Sequence, residues 1–385
     1  MSQEYTNYRV SAKESLSSIE RKLSDLIKDK PYKIRLPAKL NNDGALGVEA
    51  SVLQLLGTWI RKNRHKKIFH TYQKGEAQEF SKLCTSMYGI CALSLTDEVW
   101  DVSGERLKRG MVLNYAKDSV DALKRGDFAN SFKSKYMGIP FIKTPSYDRE
   151  LEMPLYNNSD VIESSAFYRI FENILREKIA GYSRFETLKK SIDLHDLSDL
   201  LWEVFKNTHD HGRSHVNGDS IATNFRTVII RQPDIDKSYF DGWLGDNPTP
   251  AQKKFVEYWK DKNFEKYPFI DLSVVDFGEG FVEMARGKAG SLDGKMVFFQ
   301  CLESGWSRLS GKSRGEGLSK VLSAVRKHNG WLRIRSGKFL IEKTFEAEMG
   351  ESLSFGDIQE MDEEVSGVSF HVSFFLKGYG DGGLS

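Results

Sequence analysis

A chain of 385 residues, with 39% hydrophobic and 29% charged residues, is long for one domain and has the composition of an ordinary globular protein. Its formal net charge of +2 gives no broad electrostatic case for partners such as nucleic acid or a membrane surface. Because the sequence shows no signal peptide, no apolar run that could span a bilayer and no metal-ligand spacing of its three cysteines, we expect a cytoplasmic protein.

Residues 1–30 are predicted to form an N-terminal amphipathic helix. Leu16, Ile19, Leu23 and Ile27 recur at helical spacing along this charged stretch. Such a helix packs on its own domain or, as the alternative, makes a short helical contact between two copies of the chain.

Residues 31–100 are predicted to form a small α/β domain. Strands are expected at 32–36 and 67–72, and helices at 48–60 and 76–93. Strands that alternate with helices at this spacing imply a small parallel sheet.

The layout of this domain resembles a STAS-type regulatory domain, the fold of anti-sigma-factor antagonists. Such domains can carry a phosphorylatable Ser or Thr where the main helix begins, but here the corresponding turn, residues 41–47, contains no hydroxyl. The resemblance therefore implies an interaction module, for a protein partner or for a homodimer, and not a phosphoacceptor.

Residues 101–159 give few signals and are interpreted as a connector packed on both domains. A short helix is expected at 115–123, and proline-punctuated extended chain follows it. We assign the remainder, 160–385, to a C-terminal domain, which begins with an amphipathic helix at 161–180 and is expected to be irregular over 232–268.

A helix in this C-terminal part carries a polar row beside its apolar stripe. Glu203, Asn207 and Asp210 fall at positions i, i+4 and i+7, which places them on one side of a helix. Mg²⁺ prefers oxygen ligands and keeps several waters, so one side-chain oxygen together with phosphates can hold it. A nearby carboxylate can then act as general base on an attacking water.

A second stretch places an acid at the end of a strand. The apolar strand 269–275 leads directly into Asp276, which is followed by Gly278 and Gly280. A carboxylate in this position can accept a hydrogen bond from an exocyclic amine such as that of adenine, and the glycines let a ligand approach the backbone.

A third stretch is a glycine-rich, basic segment at the start of a helix. It contains Lys312, Arg314, Gly315, Gly317 and Leu318. Backbone N–H groups and the helix dipole can bind phosphate oxygens there. The Gly-Lys-Ser within it is not a P-loop, because the residue six before the lysine is a tryptophan and no strand immediately precedes it.

These three stretches, in this order, resemble the GHKL or Bergerat-fold ATPases, the superfamily of gyrase, the heat-shock chaperone, histidine kinases and mismatch-repair proteins. The resemblance covers about residues 160–378. It implies a two-layer α/β sandwich with a mixed sheet, helices on one face, and ATP with Mg²⁺ between helix, sheet and a lid. Residues 281–314 are the candidate lid, which is expected to close over the phosphates.

The resemblance also assigns roles to individual residues. Glu203 would be the general base and Asn207 the magnesium ligand, followed by Asp210 and His211, while Asp276, Gly278 and Gly280 would bind adenine. Lys312 and Arg314 would bind phosphate, Gly315, Gly317 and Leu318 would form the lid hinge, and Ser369 of the last strand would contact the adenine region.

Three activities fit this site. In an ATPase switch, nucleotide closes the lid and joins protomers, and the acid after Asn207 is typical of gyrase-like members. In a protein kinase, phosphoryl transfer goes to Ser, Thr or His, and Asn207 followed by His211 and Gly212 resembles the serine kinases of anti-sigma regulators. A nucleotide-binding scaffold without turnover is the third. Because Glu203 is present, we expect a slowly hydrolysing switch coupled to the N-terminal domain.

Overall fold

The computed structural model describes residues 4–28, 30–72, 77–148, 150–236, 248–260, 266–303, 317–346 and 352–376. Within these residues the chain is a mixed α/β structure with two main sheets and helices packed on them. No helix in this part of the chain is both long enough and apolar enough to cross a membrane.

The N-terminal part builds a five-stranded sheet in which the strands follow one another in sequence order. Its strands are β1 (Thr6–Arg9), β2 (Tyr32–Leu36), β3 (Ile68–Thr71), β4 (Glu98–Trp100) and β5 (Arg106–Leu107). Its helices are α1 (Leu16–Ile27), α2 (Val48–Lys62), α3 (Ala77–Leu83), α4 (Met87–Leu95) and α5 (Arg109–Lys124). β1 to β4 pair in parallel and β5 is antiparallel to β4, so this sheet is mixed. The predicted parallel pairing is confirmed for the strands β2 and β3, and β5 adds an antiparallel strand that was not predicted.

The sequential strand order decides where the helices lie. Each crossover from β1 through β4 moves to the next strand in the same direction, and crossovers between parallel strands are right-handed. α1, α2 and α4 therefore share one face of the small sheet, and none of these three crossover helices lies on the other face.

The larger sheet has the strand order β13-β14-β12-β10-β6-β7, and β11 pairs with β12. Its strands are β6 (Tyr136–Thr144), β7 (Tyr147–Asp148), β10 (Asn224–Arg231), β11 (Asp234–Asp236), β12 (Lys266–Asp276), β13 (Trp331–Thr344) and β14 (Ile358–Phe375), while β8 (Tyr156–Asn157) and β9 (Asp160–Val161) form a separate hairpin. Helices in this part are α6 (Ser164–Ile174), which a π-helical turn (Leu175–Ile179) extends, α7 (Tyr182–Ser191), α8 (Leu194–His211), α9 (Pro250–Lys260), α10 (Phe281–Ala289), α11 (Gly294–Leu302) and α12 (Gly317–Lys327).

The prediction that the C-terminal domain has a mixed sheet is wrong for the strand pairs that the structure describes. Neighbouring strands of the larger sheet are antiparallel throughout the described pairs. β12 and β13 run in the same direction, but β14 lies between them, so the connection through α10 to α12 crosses over a strand instead of creating a parallel pair.

The segment interpreted as a connector also supplies a strand to the larger sheet. β6 pairs with β10 along its length, from Tyr136 opposite Arg231 to Lys143 opposite Asn224. The boundary at residue 160 therefore does not coincide with the edge of the sheet, and the division of the chain into domains stays a prediction.

Helix α2 lies between the two sheets. Every residue from Val48 to Ile60 is buried, whereas a surface helix would expose one side. α2 packs on β12 and β14 of the larger sheet, and on α1 and α4 of its own layer. Along β12, Asp271 faces the start of α2 and Asp276 faces the end of α8, and their odd spacing places them on opposite faces. The layers are thus small sheet, α1–α2–α4, larger sheet, and α6–α8–α12.

Two local predictions were wrong. The helix expected at 76–93 is two helices, because Ser86 caps α4 by accepting a hydrogen bond from Gly89 N at 3.3 Å. The stretch 232–268 was expected to be irregular but contains α9, whose Val256 and Trp259 are buried. Pro250 belongs to the first turn of this helix, where proline is favoured, and does not mark a loop.

The contact between α2 and the strand-end loop at 276–280 leaves no room at Gly57. A Cβ at this glycine would lie 2.5 Å from Phe277 Cδ1, so we expect Gly57→Ala to lower the free energy of unfolding by about 1–3 kcal/mol. Gly110 in α5 has nothing within 4 Å of the corresponding position, so Gly110→Ala should leave stability unchanged or raise it by up to about 1 kcal/mol. Denaturant unfolding of both variants tests this, and equal effects would contradict it.

Candidate functional site

Helix α8 carries the predicted polar row on the side of the helix that is not fully buried. Asp193 caps the helix by accepting hydrogen bonds from His195 N at 2.9 Å and Asp196 N at 3.4 Å. The apolar stripe, Leu197, Leu200, Leu201, Val204 and Phe205, is buried against the sheet. Glu203, Asn207, Asp210 and His211 are half-buried. The spacing argument for this helix is confirmed.

Helix α12 packs antiparallel to α8. Its last turn and the residue after it are tied to the start of α8, since Lys327 Nζ lies 2.6 Å and His328 Nε2 lies 2.9 Å from Asp196 Oδ2. Gly317 is ten residues before Lys327, or about 15 Å along the axis at 1.5 Å per residue. Ten residues after Asp196 is Lys206, so an antiparallel α12 has its N-terminus near the level of Lys206 and the next residue, Asn207.

Asp276 is the last residue of β12 and meets the end of α8. The residue is 3% exposed, and its Oδ1 accepts a hydrogen bond from Gly278 N at 2.8 Å. A Cβ at Gly212, which follows α8, would lie 3.0 Å from Asp276 Cγ, and one at Gly278 would lie 2.7 Å from Gly212 Cα. The two glycines therefore let the helix end approach the acid closely, and the structure brings Asp276 and α8 together.

Burial raises the pKa of Asp276 to about 6, against the opposing effects of hydrogen bonds from the backbone of Gly278 and Val368 and of the positive charge of Arg226. The carboxylate is therefore ionised at neutral pH, although its charged form is destabilised by the lack of water. An ionised carboxylate has about four acceptor sites, so the bond to Gly278 does not exhaust it.

A buried ion-pair network, which the motifs of the sequence did not indicate, lies beside this acid. Arg226 and Glu150 are both fully buried, with Arg226 Nε 3.3 Å from Glu150 Oε1 and Arg226 Nη2 2.8 Å from Tyr156 OH. Arg213 Nε lies 3.0 Å from Glu150 Oε2. Burial, with Arg213 and Arg226, lowers the pKa of His209 to about 4. The available signal was an arginine beside the apolar run 228–230 of strand β10, since a buried arginine needs a partner.

The loop after Asp276 is fixed by helix α2. Arg61 Nη1 donates to Phe277 O at 2.8 Å, and Arg61 Nη2 lies 2.9 Å from Glu279 Oε1. His215 Nδ1 lies 2.5 Å from the same Glu279 oxygen. Gly280 has φ +86°, and the next residue, Phe281, donates its N–H to Ser336 Oγ at 2.9 Å. The candidate site is therefore connected directly to the helix between the two sheets.

The structure does not bring Ser369 to Asp276. Ser369 pairs with Val275, while Asp276 pairs with Val368. Because paired residues share a face and successive residues alternate, Ser369 lies on the face toward α2, and Val368 is beside Asp276. Our interpretation of Ser369 as an adenine contact is therefore wrong, since a hydroxyl one residue away from the register position points to the other side of the sheet.

The candidate lid is only partly described. Residues 281–303 contain the two helices α10 and α11, so the glycine-rich segment does not begin as a loop. Gly317 is the first residue of α12, and the next residue, Leu318, is buried. Lys312, Arg314 and Gly315 lie outside the described residues, and their phosphate contacts stay predictions.

Searches among protein families, curated proteins and solved structures found no match for this chain. Within the described ranges, no group of three or more His, Cys, Asp or Glu residues could hold a metal ion. A magnesium site that uses one amide oxygen and phosphate oxygens needs no such group, so the half-buried Asn207 fits that mode of binding.

The raised pKa of Asp276 predicts a pH-dependent effect on stability. Its folded pKa, about 6, lies above its ordinary value of 3.8, so the native state loses stability as the pH rises through this interval. At pH 7.5 we expect Asp276→Asn to have a higher free energy of unfolding than the wild type, by about 1.4 kcal/mol for each unit by which the pKa of Asp276 is raised. This difference should become smaller toward pH 4.5.

Unfolding free energies of both proteins at pH 4.5, 6 and 7.5 test this prediction. The lowered pKa of His209 makes stability fall as the pH drops below about 6.5, but it does so in both proteins and cancels in their difference. A difference that is constant across the range would contradict the burial of a charged Asp276.

Proposed function

We propose that this chain is a magnesium-dependent, ATP-binding protein of the GHKL type that hydrolyses ATP slowly and acts as a nucleotide-driven switch. One observation carries the proposal: the end of α8, the acid at the end of β12 and the N-terminus of α12 all lie on the same face of the larger sheet. α8 offers the carboxylate of Glu203 as a base and the amide of Asn207 as a ligand. Asp276 offers an acceptor for the exocyclic amine of adenine, and the N-terminus of α12 offers the positive end of a helix dipole to phosphate.

The adenine end of the proposed site is at Asp276. Its carboxylate is ionised at pH 7, buried and fixed by Gly278 N, which are the properties of a strong acceptor for an exocyclic amine. A guanine presents a keto oxygen at the corresponding position, so the acceptor sites of the carboxylate that Gly278 N leaves open would face an acceptor and not a donor. Selectivity for adenine over guanine follows.

The phosphate end of the proposed site is at the level of Asn207 and Gly317, where α8 and α12 lie side by side. Asn207 would hold Mg²⁺ through its amide oxygen, and the ion would neutralise phosphate charge. Glu203, one turn earlier on the same side of α8, would take a proton from the attacking water. Lys312 and Arg314, which precede α12 in the sequence, would add positive charge at this end.

A switch requires that the nucleotide site be coupled to another part of the molecule. Arg61 of α2 binds the loop that follows Asp276, and α2 packs against α1 and α4 beneath the small sheet. A nucleotide that moves this loop would therefore act on the layer that supports the N-terminal sheet. The protein partner or second copy that responds is expected on that side of the molecule.

Adenine recognition predicts a specific loss of affinity. Asp276→Asn replaces a charge-assisted hydrogen bond, which should weaken ATP and ADP binding by about 1.5–3 kcal/mol and reduce the preference over GTP. Asp118→Asn makes the same chemical change at an exposed position of α5 and should bind as the wild type does. Isothermal calorimetry measures both, and unchanged selectivity in Asp276→Asn would remove this residue from the site.

If Glu203 is the general base, its removal should impair ATP hydrolysis without impairing ATP binding. Glu203→Ala should retain nucleotide but hydrolyse ATP roughly 10²–10⁴ times more slowly, the range for a lost general base. Glu186→Ala on α7, whose side chain is 75% exposed, is the matched control and should hydrolyse at the wild-type rate. Hydrolysis by Glu203→Ala at the wild-type rate would refute the assignment.

A wild-type protein that binds ATP without hydrolysing it would favour the scaffold, and transfer of radiolabelled phosphate from ATP to a protein would favour the kinase.

A further inference from the structure

The small sheet has one face that no described element covers. The crossover helices α1, α2 and α4 lie on the other face, toward the larger sheet, so Ile34 and Phe69 are buried there while Lys33, Arg35 and His70 alternate to the outside. Parallel sheets are normally covered on both faces, because their strands come with helices. This outer side, which we name the open face, is therefore unusual and calls for an explanation.

The open face carries a row of residues that crosses all five strands. Arg9 pairs with Arg35, Arg35 with His70, His70 with Trp100, and Trp100 with Arg106. Paired residues in neighbouring strands point to the same side, and strands are about 4.8 Å apart, so the row is about 19 Å long. Three of its five members are arginines.

Aromatic rings are interleaved with these cations. The guanidinium carbons of Arg9 and Arg35 lie 5.2 and 5.0 Å from the ring centre of Tyr72, and Lys33 Nζ lies 4.2 Å from that of Trp100. Tyr72 and Trp100 are half-buried, and the hydroxyl of Tyr72 is the buried end of its side chain. The surface thus offers both positive charge and aromatic rings.

The positive charge of the open face is only partly neutralised by nearby acids. In the described part of the chain, no carboxylate lies within ion-pair distance of Arg9, Lys33 or Arg35, and Arg35 Nε is buried without an acceptor. Glu98, an acid on this face, is held by two cations at once, with Lys66 Nζ at 2.7 Å and Arg106 Nη1 at 2.9 Å. The negative charges of Asp101 and Glu14 also act on His70 and Tyr72, but the cations of the face outnumber these acids. The face therefore has a net positive charge, which the +2 of the whole chain conceals.

We propose that the open face binds a single-stranded nucleic acid, with phosphates on Arg9, Lys33 and Arg35 and bases stacked on Tyr72 and Trp100. Cations that follow a backbone and rings that stack on bases are the two requirements for binding a single strand without sequence preference. A peptide of acidic residues would use the cations but brings no aromatic bases to stack on the rings. A second copy of the chain would bring arginine against arginine, and that contact is repulsive.

The proposal is tested by fluorescence anisotropy with the full chain and labelled oligothymidylate and oligouridylate of about 15 nucleotides. Binding of either is expected, with affinity that falls steeply as salt rises, and a difference between them shows whether the 2′-hydroxyl is read. A duplex of the same length should bind more weakly because its bases cannot stack on the rings. Excess Mg–ATP should not displace the oligonucleotide.

Two variants separate charge from stacking. Arg9→Gln with Lys33→Gln should reduce the dependence of log K on log salt by about 1.4, for two lost phosphate contacts. Trp100→Ala should weaken binding by about tenfold at an unchanged salt dependence, and Trp100→Phe should recover most of the loss. Lys117→Gln and Lys253→Gln together, both exposed and on the distant helices α5 and α9, form the charge-matched control and should bind as the wild type does.

Several outcomes would overturn the proposal. They are no binding of either oligonucleotide at low salt, equal losses in the open-face and control variants, displacement by Mg–ATP, and polyglutamate binding that is as tight as that of the oligonucleotide. Thermal unfolding of each variant is measured beside the titration. Because Arg9 is exposed, its variant tests the face even where Trp100→Ala lowers stability.

Discussion

The architecture depends on one buried ion pair, between Glu49 in the first turn of α2 and Arg231 at the end of β10. Their charged atoms lie 2.5 Å apart, and both side chains are almost completely excluded from solvent. The carboxylate also accepts from Met87 N at 2.8 Å and from Tyr136 OH at 3.0 Å, so it takes donors from α4, β6 and β10. Loss of one partner would leave a buried charge unpaired, at a cost of about 3–5 kcal/mol. α2 is therefore fixed against the larger sheet at its first turn.

This constraint makes the two sheets share one core. α2 is held again at Gln54, whose Nε2 donates to Arg335 O at 2.8 Å, and at Arg61, which binds the loop after β12. β12 in turn carries a buried acid for each face: Asp271 accepts from Leu46 N just before α2, and Asp276 meets the end of α8. A displacement on the α8 side is thus passed through a single strand and a single helix to the N-terminal layer, with no flexible linker between them among the described residues.

The sequence predicted those helices and strands whose signals lie within a short stretch of the chain. It did not predict features that depend on contacts between residues far apart in the sequence. The strand at 32–36 and the helix beginning at Val48 follow from periodicity alone, and so does the polar row of α8. The position of β14 between β12 and β13 could not be predicted, because it is set by pairings between segments far apart in the sequence. The same holds for the face of Ser369, which depends on a one-residue register, and for the pairing of Arg226 with Glu150 across 76 residues. Local composition cannot reveal any of these.

The open face follows from the same constraint. With α2 held against the larger sheet, the α1–α2–α4 layer is covered on both sides, and the small sheet becomes the outermost layer of the molecule. Its outer surface must then be compatible with water while it retains the β-forming side chains that a sheet requires. Lysines and arginines laid over tyrosine and tryptophan rings meet both demands, since the rings supply β propensity and the cations supply hydration. The arrangement that makes this face soluble is therefore also the one that gives it affinity for a polyanion with planar groups.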